Sequence, residues 1–192
     1  MKKIILVLIT VLFCQNVDSQ SILTPNQVLY GRNFLFNIKN HVFFHGDSND
    51  SYVILKMDNY SQKELFTKML LALNDLYTDV DKVVTKIEPE AITINKKHVF
   101  KEEKVIIIDK KYYQSDAFEY RLSFKFKDGK IRIDAPVVNS IDYYPFEKKA
   151  LKKKGDMKSF SDGIFNAGLE LEIQDIYKRI IRQIDEKQNN DW

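Results

Sequence analysis

Residues 120–134 read YRLSFKFKDGKIRID, and the alternation of apolar with cationic side chains around Asp128-Gly129 decides the fold. A period of two over this length marks a half-buried strand pair, and Asp-Gly between two alternating runs is the strongest short-range hairpin signal. A two-residue type I′ turn sets Lys127 opposite Lys130, Phe126 opposite Ile131, Lys125 opposite Arg132 and Phe124 opposite Ile133. That register gathers Tyr120, Leu122, Phe124, Phe126, Ile131 and Ile133 on one face. Arg121, Lys125, Lys127, Lys130 and Arg132 share the other. Like charges facing each other cost about 0.2 to 1 kcal/mol per pair, which water easily absorbs. The basic face therefore has two readings: a solvated surface whose aliphatic stems cover the sheet, or a site for an anionic surface or partner.

The apolar face needs a cover, and the flanking sequence supplies two helices. Ser61-Gln62-Lys63-Glu64 fits a capping box, with Tyr60 and Leu65 as its hydrophobic staple. Leu65, Phe66, Met69, Leu70, Leu73, Leu76 and Tyr77 then recur at three- and four-residue spacing. A second stripe, Leu169, Ile173, Ile176, Ile180 and Ile184, broadened by Tyr177 and Ile181, runs within a helix expected from about Ala167 to Lys187. Acidic residues lie early in it and basic ones late, as the helix dipole favours. Between the helices, Val83 to Ile87, Ala91 to Asn95 and Val105 to Asp109 read as strands, with Glu88-Pro89-Glu90 a turn. Residues 34–44, FLFNIKNHVFF, suggest an early strand or hairpin, Tyr52 to Met57 a short strand, and residues 139–163 the most loop-like region.

The first residues, MKKIILVLITVLFCQNVDSQ, pair a positive start with an apolar run too short to span a bilayer, which reads as a signal peptide cleaved after Ser19. Acylation of Cys14 is the rival processing, and bulky Phe13 before it argues against that. Removing 19 of 192 residues takes the one cysteine with it. The expected mature chain then has no disulfide, thiolate metal site or cysteine nucleophile. Export to a bacterial periplasm or cell surface fits such a chain. Processing shifts the formal net charge only from +3 to +2, so composition carries no global polyanion-binding signature.

Motifs for chemistry are lacking. There is no Gly-x-Ser-x-Gly, His-Glu-x-x-His, phosphate loop or dinucleotide fingerprint. His41 and His45 are four apart on a stretch that reads as strand, His98 is isolated, and Asp47-Ser48-Asn49-Asp50-Ser51 starts like a calcium loop but has Tyr52 where glycine is needed. Neither a cofactor nor a metal is expected. A lysine cluster at 148, 149 and 152–154 reads as solvated tether. Nucleic-acid binding is disfavoured because the hairpin turns its Phe residues away from the basic face.

The stretch from Tyr52 to about Val138 carries a strand, the helix YSQKELFTKMLLAL (60–73), the hairpin KVVTKIEPEAITI (82–94) and the hairpin EYRLSFKFKDGKIRID (119–134). It resembles a secreted bacterial domain family of unknown function with a TATA-binding-protein-like (TBP-like) fold. Residues 96–115 depart from that pattern as an insertion with an extra strand, and residues 20–50 form an N-terminal extension. The resemblance implies an α+β domain over residues 51–187, a curved antiparallel sheet packed against two helices with a β-α-β-β-β-β-α, helix-grip-like core, and a loose tail at 188–192.

A helix lying across a curved sheet can leave an apolar cavity, here lined by Phe66, Leu70, Phe124 and Ile133. The leading expectation is a non-enzymatic binding module for an apolar or lipid-like ligand at that cavity. The alternative is an envelope component that recruits a protein through Arg121, Lys125, Lys127, Lys130 and Arg132. A hydrolase ranks third.

Overall fold

The computed structural model describes residues 21–46, 50–146, 148–159 and 163–186. The expected signal peptide with Cys14, residues 47–49 of the expected polar turn and the expected loose tail at 188–192 lie outside these residues. The chain builds β1 (Ile22–Leu23), α1 (Pro25–Tyr30), β2 (Asn37–Lys39), β3 (Val42–Phe44), β4 (Tyr52–Lys56), α2 (Gln62–Leu76) and the short α3 (Val80–Val83). It continues with β5 (Val84–Ile87), β6 (Ala91–Ile108), β7 (Lys111–Lys127), β8 (Lys130–Asp134), β9 (Val137–Pro145), β10 (Lys153–Gly155) and α4 (Gly163–Glu186). Two 3-10 turns, Lys149–Leu151 and Met157–Ser159, flank β10.

Strand β7 organises the large, open curved sheet. One edge of β7 pairs with β6 along most of its length, while β8 and β9 share the other edge in succession. Beyond β8 come β4 and then β1, and beyond β6 comes β5. All of these pairings are antiparallel except β1 with β4, where Ile22 and Leu23 lie parallel to Ile54 and Leu55. The architecture is therefore α+β, with both long helices on one face of the sheet, where Leu65, Phe66, Met69, Ile173, Tyr177 and Ile180 meet Ile92, Ile94, Phe124 and Ile133 in one buried cluster.

The β7–β8 hairpin has the expected register, Phe124 opposite Ile133 through Lys127 opposite Lys130. Its turn type differs. Gly129 takes φ +70°, but Asp128 is not left-handed, so the turn is not type I′. The reason is tertiary: the Asp128 carboxylate accepts from the Gln62 amide at 2.8 Å, and the Gly129 amide donates to the Tyr60 carbonyl at 2.8 Å. The turn is docked on the start of α2, which keeps its capping box between Ser61 and Glu64. Two-residue loops with both central residues left-handed occur instead at Asn40-His41 and Asp109-Lys110.

Three other expectations are corrected. Residues 96–115 are not an inserted extra strand but the far end of the β6–β7 hairpin, whose ladder resumes after a register shift between Val99 and Lys104. Residues 139–163 are not chiefly loop: β9 and β10 pair there, tied to β7. The lysines at 149, 152 and 154 are not a solvated tether either. Lys152 and Lys149 reach Asp116 at 2.6 and 3.3 Å, and Lys154 reaches Glu119 at 2.6 Å. Asp116 is the unpaired residue of a bulge between Ser115 and Ala117 on the β9 side, and its carboxylate meets Lys149 and Lys152.

The N-terminal extension is built into the same core. Thr24 and Gln27 form a capping box at the start of α1, which places Val28 and Leu29 in the shared hydrophobic cluster with Leu35, Phe36 and Phe43. The Leu35 amide donates to Gln174 Oε1 at 2.8 Å and the Ile38 amide to Glu170 Oε1 at 2.5 Å, fastening the segment to α4. Helix α4 itself starts at Gly163, four residues before the expected start.

Candidate functional site

The residues expected to wall an apolar cavity pack in the core between helices and sheet. Phe124 and Ile133 are fully buried and Phe66 is nearly so. Phe66 meets the Phe126 ring edge-on at 5.7 Å, Phe124 meets Tyr177 at 6.2 Å, and Leu70 packs partly buried at the margin. None of the four lines any of the pockets described below.

The largest of these pockets lies on the opposite side of the sheet, over the hairpin. Alternation along β4, β8 and the end of β7 turns Tyr52, Ile54 and Lys56, Lys130 and Arg132, and Lys125 and Lys127 outward together. With Ile22 at the rim and Asp58, Asp128 and Gly129 at the turns, they enclose a groove of about 750 Å³. Four of the five expected cations line it. Arg121 does not, since it pairs with Asn95 and Val137 further along β7.

The groove has internal electrostatic order that the hairpin sequence alone did not reveal. Asp134, at the end of β8, accepts from Arg132 Nε at 2.5 Å and pairs with Lys125 at 3.4 Å. The Arg132 guanidinium also stacks 3.9 Å from the centre of the Tyr52 ring. Lys56 pairs with Asp58 at 2.8 Å. Lys127 and Lys130, facing each other across the turn, have no ion-pair partner among the described residues. A fixed cation over an aromatic floor thus sits beside two uncommitted ones. The signal that could have found Tyr52 and Asp134 was the strand alternation of residues 52–56 and 130–134 read as neighbours, but the pairing of β4 with β8 spans the helix between them.

No described histidine lines the groove. His45 donates from Nδ1 to the Leu35 carbonyl at 2.6 Å, His98 Nε2 lies 2.9 Å from Glu172, and His41 sits in the β2–β3 turn. Among the described residues no group of three or more histidine, cysteine or carboxylate side chains could hold a metal, and no helix is long and apolar enough to cross a membrane.

No family model matches the chain, and no curated protein matches it. Among solved structures, a TBP-like protein from Parabacteroides distasonis superposes with a TM-score of 0.52 at 12% identity, covering 77% of this chain and 96% of that one. A DUF4468 family protein from Bacteroides ovatus aligns with a TM-score of 0.46 at 10% identity, over 83% of this chain and 94% of that one. The chain has the TBP-like fold that its sequence resembles, shared with the Parabacteroides protein, and at this identity the likeness speaks of fold and not of activity.

Proposed function

We propose that this protein is an exported, non-enzymatic interaction module that holds an acidic polypeptide segment on the outer face of its sheet. The observation that carries the reading is the groove of about 750 Å³ in which Lys127 and Lys130 stand without ion-pair partners among the described residues, beside the Tyr52–Arg132 stack. Carboxylates meeting those ammonium groups would form charge-assisted hydrogen bonds, while Tyr52, Ile54 and Ile22 offer apolar contact between them. Asp58, Asp128 and Asp134 interrupt the positive charge, so the groove favours a partner with spaced carboxylates over a uniformly charged polyanion or membrane surface. Export rests on the N-terminal twenty residues, whose charged start and short apolar run suit a signal peptide.

Fluorescence anisotropy with an Asp/Glu-rich peptide tests the site. Wild type should bind in a salt-sensitive manner, and the double variant Lys127→Glu/Lys130→Glu should lose at least tenfold in affinity. Equal binding by both proteins, or binding only to anionic vesicles, would count against the proposal.

A further inference from the structure

A second polar site opens on the helix side of the sheet, where the end of α2 and the middle of α4 part over β6. Leu76, Tyr77, Lys96, His98, Tyr120, Ile176, Arg179 and Ile180 enclose about 120 Å³ there, several water volumes. Alternation along β6 sends Lys96 inward opposite Tyr120, so a lysine occupies a position on the helix-covered face. Its ammonium lies 4.0 Å from the centre of the Tyr77 ring. Neither Lys96 nor Arg179 has an ion-pair partner among the described residues, and the Arg179 charge disfavours that of Lys96. On α4, the Glu172 carboxylate is engaged with His98 at 2.9 Å and Lys104 at 3.9 Å.

The tyrosines add a donor. Tyr77 and Tyr120 hydroxyls are 3.2 Å apart, and whichever donates, the other keeps a proton with no acceptor among the described residues. Tyr120 is only 2% exposed, so its end of the hydroxyl pair lies in a largely dry setting. Burial pushes both phenols above their ordinary range, which keeps them protonated, and burial followed by the charge of Arg179 lowers Lys96. Two unpaired cations and an unused hydroxyl proton around a small opening are what a compact oxyanion requires.

We infer that the pocket formed by Lys96, Arg179, Tyr77 and Tyr120 binds a small oxyanion, a phosphate or carboxylate group, as a site separate from the sheet-face groove. The exposed guanidinium would meet the anion at the mouth, and Lys96 with the hydroxyl proton would meet it inside. The rival role for Lys96 is to neutralise the carbonyl end of α2, since Tyr77 caps that helix.

Isothermal titration of the full chain with inorganic phosphate, and separately with acetate, at constant ionic strength set by chloride decides between them. Wild type should bind one equivalent saturably, with the preferred anion identifying the headgroup chemistry. Arg179→Gln, at an exposed position that leaves the fold intact, and Lys96→Met should each weaken binding about tenfold or more, as loss of one charge-assisted hydrogen bond implies. Lys127→Glu/Lys130→Glu should leave it unchanged. Absence of saturable binding by wild type, or an affinity untouched in both Arg179→Gln and Lys96→Met, overturns the inference. A Lys96→Met protein that is less stable yet binds phosphate as wild type does assigns Lys96 to the helix end.

Discussion

Replacing Phe124 with alanine separates a packed core from a ligand cavity. Phe124 is 0% exposed, lies opposite both Ile92 and Ile133 in the ladders of β7, and meets the Tyr177 ring edge-on at 6.2 Å. Removing a fully buried phenyl group costs about 3 to 5 kcal/mol, because lost transfer energy is compounded by a void that rigid neighbours do not fill. The strand partners on both sides and α4 above leave little room for collapse, which places the expected loss near 4 kcal/mol. Against a total stability of about 5 to 15 kcal/mol, that is a large fraction. Urea unfolding followed by circular dichroism should show a clearly lower midpoint with an unchanged slope, and thermal unfolding a fall of about 10 °C. A loss below about 1 kcal/mol would mean that Phe124 borders empty or ligand-filled space, and the assignment of the helix–sheet interface as filled core would fail.

The other tests concern local devices. Ser61→Ala removes the hydroxyl that accepts from the Glu64 amide and should cost about 1 kcal/mol in denaturant unfolding. Gly129→Ala meets no steric neighbour but must hold φ +70°, so it should cost about 1 to 2 kcal/mol through backbone strain alone; a neutral result would show that the docked turn can shift. Burial pushes the Asp116 carboxyl up, but hydrogen bonds from Lys152 and Lys149 outweigh it and hold the group below the usual carboxylate range. Its stabilising contribution is therefore fully present above the unfolded carboxylate value of about 4 and disappears as pH falls through the lower folded value. Asp116→Asn should cost about 1 to 2 kcal/mol at neutral pH, discounted for the partial exposure of the lysines. The difference from wild type should vanish in acid, and a gap that persists at pH 2 would argue that packing, not charge, sets the effect.

The parts of the fold legible in the sequence are those fixed by local chemistry. The capping box at Ser61 and Glu64, the Ile stripe of α4 and the strict alternation at 120–134 each specify an element with little help from the rest of the chain. Turn geometry at Asp128-Gly129 was not legible, because contacts with Tyr60 and Gln62, more than sixty residues away, select it. Strand β9 was hidden because Val137–Pro145 alternates weakly and mixes Asn139, Ser140 and Asp142 with its apolar residues; its place follows from the second half of the long β7 edge that β8 leaves open. The basic face was legible as a row of five residues. Its division into a clamped Arg132, a paired Lys125 and uncommitted Lys127 and Lys130 depends on Asp134 and on Tyr52, which only the β4–β8 pairing brings to the site. The pocket at Lys96 and Arg179 joins residues from β6 and α4 that no sequence spacing connects.

Mapping the bound peptide on the molecule tests the sheet-face reading without relying on any variant. Amide chemical shifts of the isotope-labelled protein, followed as the acidic peptide is titrated, should move for residues 52–56 and 125–132, and raising salt should reverse them as screening shortens the reach of the exposed lysines. Shifts confined to α2 and α4, or spread evenly over every surface lysine, would show that the groove beside Tyr52 and Arg132 is not where an acidic partner binds.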